Sequence, residues 1–408
     1  MEKKKIAIIG IGRVGLPFAL YLDALGFDVV GIDRDQAMVE KVNQRKMPFI
    51  EPGCDELLTQ SKMTCTTSYD AVSKVDYIIL TVGTPLMSHI ETDLSNIEHV
   101  LEIIHPLLRP HQCFILRSTV APKTTDYVKK FIEKYTKLKV GINFGLTFCP
   151  ERLAEHKALA ELKTLPQIIG CEDNMSYEMA EKIFSTFGVK IFRTTFISAE
   201  LTKLFNNTSR YIDFAVANQF AIIANNFGQN IYEILRLSNE DYPRGYIYSP
   251  GFTAGTCLRK DFGMINELSP GPDLLLAAWK VNEFMPYHLV ELASRHVNLN
   301  TAKIAVLGYT FKSNSDDLRD SLVPKLLRYL ERLVPKEVSI VEPNIQAQSI
   351  DGYPNLSLEE ALKDADAVFI ATNHDEFKTK KVWDLLKKGC VLIDLWNCLG
   401  ENKVTLIK

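Results

Sequence analysis

A single cysteine lies in a loop whose composition leaves room for a ligand to reach its sulfur. Cys257 follows the segment Gly251–Thr256 (GFTAGT), and Arg259 and Lys260 come shortly after it. Glycine permits backbone angles and close approaches that residues with a Cβ resist. Neighbouring cations favour the thiolate, which is the nucleophilic form of cysteine. The loop therefore indicates a nucleophile, and the alternative is an ordinary buried cysteine beside a turn.

Lys203 and Asn207 are a polar pair in a long segment of helical composition. The segment begins at Ser198, a predicted N-cap with Glu200 in the first turn, and reaches Gly228 without a proline. Residues four apart share one face of a helix. The predicted packing positions are Phe214, Ala217, Phe220, Ala221 and Ala224. Buried there, Lys203 and Asn207 would need a ligand or a partner, and otherwise they form a solvated face.

A third candidate group is the carboxylate of Glu151. It follows the predicted strand Phe144–Cys149 in the triplet Pro150-Glu151-Arg152. Ligands of open α/β sheets bind beyond the carboxyl ends of the strands. Glu151 is therefore predicted to act as an acid, a base or a group that orients water, with a salt bridge to Arg152 as the rival interpretation.

The N-terminus has the pattern of a dinucleotide-binding turn. A predicted strand, Lys5–Ile9, leads into Gly10-Ile-Gly12-Arg13-Val14-Gly15, and a helix follows until Gly26. The next predicted strand, Phe27–Ile32, delivers Asp33. The glycines allow a tight turn and close approach of a pyrophosphate to the helix N-terminus, while Asp33 suits the ribose hydroxyls. This predicts NAD rather than NADP, although Arg34 is a residue that can accept a 2′-phosphate.

The alternation of strands and helices continues along the chain. The predicted strand Asp76–Val82 ends in Gly83-Thr84-Pro85, and Cys113–Leu116 ends in the run from Arg117 through Thr119 to Pro122. Thr119 is predicted to contact the nicotinamide or a sugar hydroxyl, or else to cap the helix that follows.

A second α/β unit is predicted after a helix at Leu274–Val297. Its strands are Ile304–Gly308, Val338–Glu342, Ala367–Thr372 and Cys390–Leu395. This unit lacks GxGxxG and need not bind a dinucleotide, but Lys312 and Arg319 flank a turn where phosphate can be held. The predicted fold class is therefore α/β, with two Rossmann-like parallel sheets joined by a central helical region that contains a long helix. The predicted domains are 1–195, 196–298 and 299–408, with the active site in a cleft between the α/β units.

Composition excludes several classes of protein. The chain has 408 residues, 46% hydrophobic and 24% charged, with a formal net charge of −3. The chain has no excess of positive charge that would attract nucleic acid, and no apolar run is long enough to span a bilayer. Eight cysteines without a CxxC pair indicate neither a metal site nor a disulfide framework, which predicts a cytoplasmic protein.

Taken together, these motifs resemble those of the UDP-glucose/GDP-mannose dehydrogenase family over essentially the whole length. The matching segments, in the family's order, are Gly10–Gly15, Gly83–Pro85, Ser118–Val120, Pro150–Arg152, Glu200–Lys203 with Asn207, Gly251–Asp261 and Gly308–Ser321. The resemblance implies oxidation of a nucleotide-sugar C6 alcohol to the acid with two NAD+ and no metal.

The resemblance also implies a role for each catalytic residue. Cys257 resembles the nucleophile that captures the aldehyde as a thiohemiacetal and then carries a thioester. Lys203 and Asn207 resemble the pair that stabilises the oxyanion. Asp261 resembles the acid that assists proton removal through a water, and Glu151 the carboxylate that activates water against the thioester. Thr119 matches a residue that lines the same pocket.

The binding residues implied by the resemblance fall into two groups. Cofactor contacts are expected from Gly10, Gly12, Arg13, Val14, Gly15, Asp33, Thr84 and Thr119. Substrate contacts are expected from Glu151, Arg152, Lys203, Asn207, Arg244, Tyr248, Gly251, Lys312 and Arg319. Arg244 resembles an arginine that enters the partner subunit's sugar site, which implies a homodimer, although it stands closer to Cys257 than the family pattern leads us to expect.

Two departures from the family pattern lie in the cysteine loop, of which the first bears on the sugar pocket and the second on the local loop geometry. Thr253 and Ala254 stand where the family loop has more glycine, and Leu258-Arg259-Lys260 replaces the commoner Phe-Pro-Lys. The run Pro150–Lys157 and the later Leu165–Gly170 look more like the branch that oxidises UDP-N-acetylhexosamines, UDP-GlcNAc or UDP-ManNAc. UDP-glucose is the alternative substrate. A two-electron dehydrogenase of the hydroxyacid or 6-phosphogluconate type is the rival reaction, and it has no need of Cys257.

Overall fold

The computed structural model of the chain describes residues 4–85, 92–255, 258–268, 271 and 273–408. Cys257 lies outside these residues, as do Thr256, Pro270 and Pro272. The chain divides into two compact units, Met1–Asn206 with Gly263–Leu268 and Asn207–Phe262 with Ser269–Lys408. Within the described residues, no helix combines the length and the apolar character needed to cross a membrane.

The first unit is built on an eight-stranded sheet. Its strands are Lys5–Ile9 (β1), Asp28–Ile32 (β2), Thr64–Thr66 (β3), Tyr77–Leu80 (β4), Cys113–Leu116 (β5), Gly145–Phe148 (β6), Gln167–Gly170 (β7) and Ile191–Thr194 (β8). They lie in the order β3-β2-β1-β4-β5-β6-β7-β8. The first six are parallel and follow the order of a dinucleotide-binding fold. The seventh strand is antiparallel to the sixth.

Helices cover this sheet and complete the first core. They are Gly15–Ala24 (α1), Gln36–Asn43 (α2), Cys54–Gln60 (α3), Ser95–Ile104 (α4), Thr124–Tyr135 (α5), Ala158–Leu162 (α6) and Asn174–Phe184 (α7). Strands β4, β5, β6 and β7 are buried at every position, as expected for strands covered on both faces. This burial explains why apolar runs predict β4, β5 and β6 in the sequence, whereas β7 is equally buried and was not predicted.

A long helix, Phe196–Asn226 (α8), contains 31 residues. The prediction that Ser198 is its N-cap is wrong, because the helix begins two residues earlier and the Ser198 N–H donates to Thr195 Oγ1 at 3.3 Å. Glu200 therefore lies beyond the first turn. Its carboxylate instead accepts the N–H groups of Lys123 and Thr125 at 2.7 and 2.8 Å, which closes the N-terminus of α5.

One predicted packing position of α8 is also wrong. Phe220 is 39% exposed, and it continues a stripe of exposed apolar side chains formed by Val216, Ile223 and Phe227. The spacing of four and three residues places Val216, Phe220 and Ile223 on one face of the helix, and Phe227 follows directly after its last residue. Ala217, Ala221 and Ala224 on the other side of α8 are buried as predicted.

The second unit contains a five-stranded sheet and its helices. The helices are Ile231–Asn239 (α9), Leu258–Leu268 (α10), Asp273–Ser294 (α11), Val323–Glu331 (α12), Leu358–Leu362 (α13) and Lys380–Leu385 (α14), of which part of α10 belongs to the first unit. The strands are Lys303–Leu307 (β9), Glu337–Val341 (β10), Ser349–Ile350 (β11), Tyr353–Pro354 (β12), Ala367–Ile370 (β13), Val391–Ile393 (β14) and Thr405–Ile407 (β15).

The strand order of this second sheet is β10-β9-β13-β14-β15. The four predicted strands form its parallel part, and the unpredicted β15 joins antiparallel at the edge. Strands β11 and β12 form a separate two-stranded sheet. The predicted fold class, two Rossmann-like sheets with a helical region and one long helix between them in the sequence, is confirmed.

Candidate active site

The glycine turn after β1 has the geometry of a phosphate cradle. Gly10 has φ +92°, and a Cβ at Gly15 would lie 1.9 Å from the Gly10 carbonyl oxygen. A Cβ at Gly12, in contrast, would have no atom within 4 Å. The turn therefore needs glycine at Gly10 and Gly15 for packing, whereas at Gly12 the missing side chain leaves open space before the N-terminus of α1.

Asp33 at the end of β2 lies beside this turn. Its Oδ2 accepts the Ile11 N–H at 2.9 Å, and its Oδ1 accepts the Asp35 N–H at 3.0 Å. Arg34 is exposed and donates to Asn96 Oδ1 at 3.3 Å. The open space at Gly12, the helix N-terminus and a carboxylate at this strand end fit a dinucleotide, with the pyrophosphate at the turn and the ribose at Asp33.

Thr84 and Thr119 are neighbours at the carboxyl edge of the same sheet. The Thr84 hydroxyl is buried and donates to the Thr119 carbonyl. Ser118, one residue earlier, donates its hydroxyl to the Val82 carbonyl at 2.7 Å. The turns after β4 and β5 are thus tied together, and the structure brings these two predicted cofactor residues to one place.

Glu151 is held by a partner other than the one predicted. Its Oε2 accepts from Arg117 Nε at 2.7 Å, and both side chains are almost fully buried. The Arg152 guanidinium donates to the Pro166 carbonyl instead, so the interpretation of Glu151 as a salt-bridge partner of Arg152 is wrong. Only the Arg152 backbone N–H reaches Glu151, at Oε1 and 2.7 Å.

Lys203 on α8 is buried, with 7% of its surface exposed. Within the described part of the chain, its ammonium group makes no hydrogen bond and no ion pair. A buried cation is costly unless it is paired. This is the situation in which a ligand is expected to supply the missing acceptor.

Asn207 and Asp261 form a direct contact in the second unit. Asn207 Nδ2 donates to Asp261 Oδ2 at 2.6 Å, and both residues are buried. The other oxygen of Asp261 pairs with Lys260 Nζ at 2.9 Å. Asp261 stands in the first turn of α10, four residues after Cys257. Asn207 and Asp261, which are 54 positions apart in the sequence, are therefore in contact at the start of α10.

The loop before Cys257 is fixed at both of its ends. The Gly251 N–H and carbonyl are bonded to the Asn218 side chain at 2.9 and 3.0 Å, and Asn218 is held by Asn282 at 2.9 Å. The Gly255 N–H donates to the Asp320 carbonyl at 3.0 Å. Gly255 has φ +94°, and a Cβ there would lie 2.4 Å from the Phe311 ring, so glycine is required. Hydrogen bonds at Gly251 and Gly255 and the packing of Gly255 against Phe311 therefore hold the described part of the loop in one conformation.

Both cations that follow Cys257 are bound by carboxylates. Arg259 lies 3.0 Å from Glu283 and 3.4 Å from Asp320, and Lys260 pairs with Asp261. Glu283 is also held by Lys325 at 2.7 Å. These contacts attach the start of α10 to α11 and to the segment after β9.

The other seven cysteines are poorly suited to nucleophilic chemistry. Burial raises the pKa of the Cys54, Cys149, Cys390 and Cys398 thiols to about 12 and that of Cys65 to about 11. Burial also raises the pKa of Cys113 and Cys171. These thiols therefore stay protonated near neutral pH, whereas the thiolate is the reactive form.

The segment after β9 repeats part of the first turn. Gly308 has φ +90°, and the Tyr309 N–H donates to Glu342 Oε2 at 2.7 Å, as Ile11 does to Asp33. Glu342 also accepts the Thr310 N–H, and His374 Nε2 lies 3.1 Å from the same oxygen. Burial raises the pKa of Glu342, but hydrogen bonding and charge from His374 and the backbone outweigh it and hold this pKa below its ordinary value. The Glu342 carboxylate, which corresponds to Asp33 of the first turn, thus already accepts hydrogen bonds from groups of the protein itself.

The remaining predicted substrate residues are spread over two segments. Arg319 grips the buried Asp317 through Nε and Nη2 at 2.9 and 2.6 Å. The Lys312 carbonyl accepts from Thr310 Oγ1 in the same segment. Arg244 and Tyr248 lie on an exposed stretch after α9, where Arg244 Nε donates to Tyr242 OH at 3.1 Å. No hydrogen bond between described residues joins these two to Asn207 or Asp261.

Sequence reasoning missed the residues that hold the candidate groups in place. Asn218, Asn282, Glu283 and His374 were assigned no role, and Arg117 was noted only as part of a strand end. Each is a buried polar side chain whose partners are distant in sequence. The signal available was a polar residue inside an otherwise apolar run, as at Asn218 between Ala217 and Phe220.

Comparison with known families covers the three parts of the chain in order. Models of the UDP-glucose/GDP-mannose dehydrogenase family match at residues 4–188 (NAD binding domain), 197–283 (central domain) and 305–401 (UDP binding domain).

Two individual relatives extend over almost the whole chain. A UDP-N-acetyl-D-mannosamine dehydrogenase of Pyrococcus horikoshii is 32% identical, with 99% of this chain and 98% of the relative covered. An NDP-N-acetyl-D-galactosaminuronic acid dehydrogenase of Ralstonia solanacearum is 28% identical over 93% of this chain and 92% of its own. The solved structure of a UDP-D-ManNAc dehydrogenase from P. horikoshii superposes with a TM-score of 0.89 at 31% identity, covering 98% of this chain and 97% of the other. The chain therefore belongs to the UDP-glucose/GDP-mannose dehydrogenase family and is an NAD-dependent nucleotide-sugar dehydrogenase.

Proposed function

We propose that the protein oxidises the C6 alcohol of a UDP-N-acetylhexosamine to the carboxylic acid in four electrons, through a covalent intermediate on Cys257. The balanced reaction consumes the alcohol, one water and two NAD+, and it yields the carboxylate, two NADH and three protons. NAD+ supplies the hydride acceptor in both oxidations. The chain's own residues bind the sugar, move its protons and hold the half-oxidised carbon.

In the first half of the reaction, Asp261 accepts the alcohol proton through a water as hydride leaves the carbon. Lys203 and Asn207 donate to the oxygen on which negative charge develops. The thiolate of Cys257 then adds to the aldehyde carbon and forms a carbon–sulfur bond. The thiohemiacetal loses the second hydride and becomes a thioester. Covalent capture keeps the aldehyde from escaping before this step.

In the second half, water replaces sulfur at the acyl carbon. Glu151 orients that water and accepts one of its protons, while the water oxygen bonds to the acyl carbon. The carbon–sulfur bond breaks, Cys257 leaves as thiolate, and the carboxylic acid releases its proton to solvent. Thr119 lines the same region as a polar contact. The proposed diphosphate contacts are Lys312 and Arg319, and the proposed sugar contacts are Arg152, Arg244, Tyr248 and Gly251.

The observation that carries this proposal is the 2.6 Å hydrogen bond between Asn207 and Asp261. It brings a proposed oxyanion donor to a proposed proton acceptor, four residues from the proposed nucleophile. The buried Lys203 adds a cation for which the described residues offer no acceptor. The high thiol pKa values of the other seven cysteines leave Cys257 as the candidate nucleophile.

The N-acetylated sugar is supported by the names of the relatives. The P. horikoshii enzyme is named for UDP-N-acetyl-D-mannosamine and the R. solanacearum enzyme for an N-acetylgalactosaminuronic acid. We therefore place UDP-ManNAc first and UDP-GlcNAc second among substrates of this chain, ahead of UDP-glucose.

We expect the protein to form two NADH for each uronic acid produced. The test follows NADH absorbance with NAD+ and, in separate reactions, UDP-ManNAc, UDP-GlcNAc, UDP-glucose and GDP-mannose, with product quantified by mass spectrometry. The highest kcat/KM is expected with an N-acetylated UDP-sugar. One NADH per product would contradict the four-electron reaction, and a preference for UDP-glucose would contradict only the substrate.

The proposed assembly is a homodimer that uses the exposed stripe of α8. Val216, Phe220, Ile223 and Phe227 are 41, 39, 44 and 77% exposed, and Leu237 on α9 is 63% exposed. A row of exposed apolar side chains such as the stripe of α8 usually marks an interface. Arg244 follows these helices closely in the chain, in keeping with a proposed contact to the partner's sugar.

A double change, Phe220→Glu with Phe227→Glu, is expected to raise the dimer dissociation constant about 100-fold or more, because two apolar anchors become charged. Sedimentation velocity over a range of concentrations measures this. Ile142→Glu is the matched control, since Ile142 is 77% exposed in the first unit. A wild-type protein that stays monomeric, or a double variant that dimerises as well as wild type, would rule out this interface.

The proposed domains are 1–195, 196–298 and 299–408, in keeping with the family-model matches at 4–188, 197–283 and 305–401. The proposed location is the cytoplasm. The seven described cysteines are all free thiols, which suits a reducing compartment.

A further inference from the structure

We propose that Arg117 is a positioning residue that fixes the Glu151 carboxylate for hydrolysis of the thioester. This inference rests on the proposed function. Arg117 follows β5, its side chain is 1% exposed, and its Nε donates to Glu151 Oε2 at 2.7 Å. The two backbones also meet, since the Glu151 N–H donates to the Arg117 carbonyl at 3.4 Å.

The other oxygen of Glu151 is fixed by the backbone. Oε1 accepts the N–H groups of Arg152 and Leu153 at 2.7 and 2.9 Å. A carboxylate offers about four lone-pair sites, so three donors leave roughly one acceptor position, and it lies on the oxygen that Arg117 holds. Arg117 therefore determines the direction in which Glu151 can accept a proton from water.

The Arg117 guanidinium is held by hydrogen bonds and by contacts with two aromatic rings. Its Nη1 lies 3.3 Å from the Cys149 carbonyl oxygen, and Nη1 and Nη2 lie 3.4 Å from Gln167 Oε1. Its Cζ lies over the Phe18 ring at 4.2 Å from the ring centroid and over the Phe184 ring at 5.5 Å from that centroid. Only a planar fork can combine edge-on donation with stacking on aromatic rings. A lysine would keep the charge but lose this geometry.

Such an arrangement matters for one step of the reaction. When water attacks the thioester carbon, its proton must lie on the line to the free lone pair of Glu151 while the carbon–sulfur bond breaks. The hydride transfers do not use this carboxylate. Loss of Arg117 therefore frees Glu151 to rotate and slows hydrolysis selectively, whereas loss of general folding would slow every step.

The test compares Arg117→Met and Arg117→Lys with wild type by rapid mixing with NAD+ and the preferred UDP-sugar. For Arg117→Met we expect a burst of two NADH per active site at a rate within about 3-fold of wild type. Steady-state turnover is expected to fall about 100-fold, the loss typical of a misplaced reacting group. Intact-mass spectrometry should show the acyl-enzyme accumulating. Arg117→Lys should show the same pattern with a smaller loss.

Gln167→Met is a second, milder variant, because it removes only an acceptor of the guanidinium, and it is expected to lower turnover less than Arg117→Met while keeping the burst. Arg193→Met is the matched control: Arg193 also lies over an aromatic ring, Tyr177, and donates to Asn174 in the same unit, and it should leave burst and turnover unchanged. Thermal unfolding and NAD+ binding verify that each variant is folded.

Equal slowing of burst and turnover in folded variants, or turnover like wild type in Arg117→Met, would overturn this role. If the arginine variants do not fold, an unchanged turnover in Gln167→Met overturns it. A wild-type enzyme without a two-NADH stoichiometry would instead remove the proposed function itself.

Discussion

Cys257→Ser is expected to lower kcat for production of the uronic acid by about 10³-fold or more, because serine at neutral pH does not supply the thiolate that, in the proposed mechanism, captures the aldehyde. The first oxidation needs no nucleophile, so this variant should still reduce NAD+ slowly and release or retain an aldehyde. NADH formation and product, measured separately, distinguish the two oxidations. Trapping with hydroxylamine reports the free aldehyde.

The matched control for this change is Cys398→Ser. Cys398 is the one described cysteine that is only partly buried, and burial still raises its pKa to about 12. Its substitution should leave kcat within about 2-fold of wild type, as expected for a change away from the reacting groups. Alkylation by iodoacetamide near pH 7.5 should modify Cys257 before any other thiol. Full four-electron activity in Cys257→Ser would exclude the covalent mechanism.

Most of the longer strands could be predicted because a buried strand appears in the sequence as a short run of apolar residues. Strands β1 and β5 coincide with the predicted Lys5–Ile9 and Cys113–Leu116, since each apolar run is bounded by polar residues or glycine. Strand β3 of the first sheet has only three residues and was not predicted. Strands β7 and β8 were missed as well. The first was read as a substrate-branch motif, and Ile191–Thr194 is short and partly exposed, so no buried period marks it.

The candidate catalytic residues could be predicted from their types and spacing, but their partners could not. Asn218 bonds to Gly251 and Asn282, which are 33 and 64 residues away, so nothing near it in the sequence marks the contact. Arg117 lies 34 residues before Glu151, whereas the adjacent Arg152 is the ion-pair partner of the rival interpretation. The fold makes the distant pair because β5 and β6 are parallel neighbours whose carboxyl ends meet at one edge. Such register is a tertiary property that local pattern does not encode.

Ser198 shows the same limit at a helix end. Serine is a favoured N-cap, but Thr195 stands three residues earlier and accepts the Ser198 N–H. With α8 starting at Phe196, Glu200 is directed to the N-terminus of α5 and not to that of its own helix. Local preference thus correctly predicted that the Glu200 carboxylate lies at a helix N-terminus, but it assigned that carboxylate to α8 and not to α5.

Changing the second and third glycines of the first turn, Gly12 and Gly15, to alanine is expected to have different effects. In Gly15→Ala the new Cβ would lie 1.9 Å from the Gly10 carbonyl oxygen and 2.6 Å from Thr81 Oγ1. Backbone cannot move aside as a flexible side chain can, so we expect a loss of about 3 kcal/mol or more in unfolding free energy. Differential scanning calorimetry should show the first transition lowered by roughly 5–10 °C.

Gly12→Ala is the matched change in the same turn, and it should leave stability within about 0.5 kcal/mol. Gly12 is outside the left-handed region, and nothing lies within 4 Å of its Cβ position. We propose that the pyrophosphate approaches the backbone through that open space, so a methyl group there would displace the phosphate from N–H donors worth about 1.5–3 kcal/mol each. Isothermal titration should therefore show NAD+ affinity reduced about 10-fold or more, as loss of one such bond implies. Equal affinity in Gly12→Ala and wild type would mean that the dinucleotide does not lie on this turn, whereas a matching loss of stability in both variants would mean that the turn is packed at Gly12 as tightly as at Gly15.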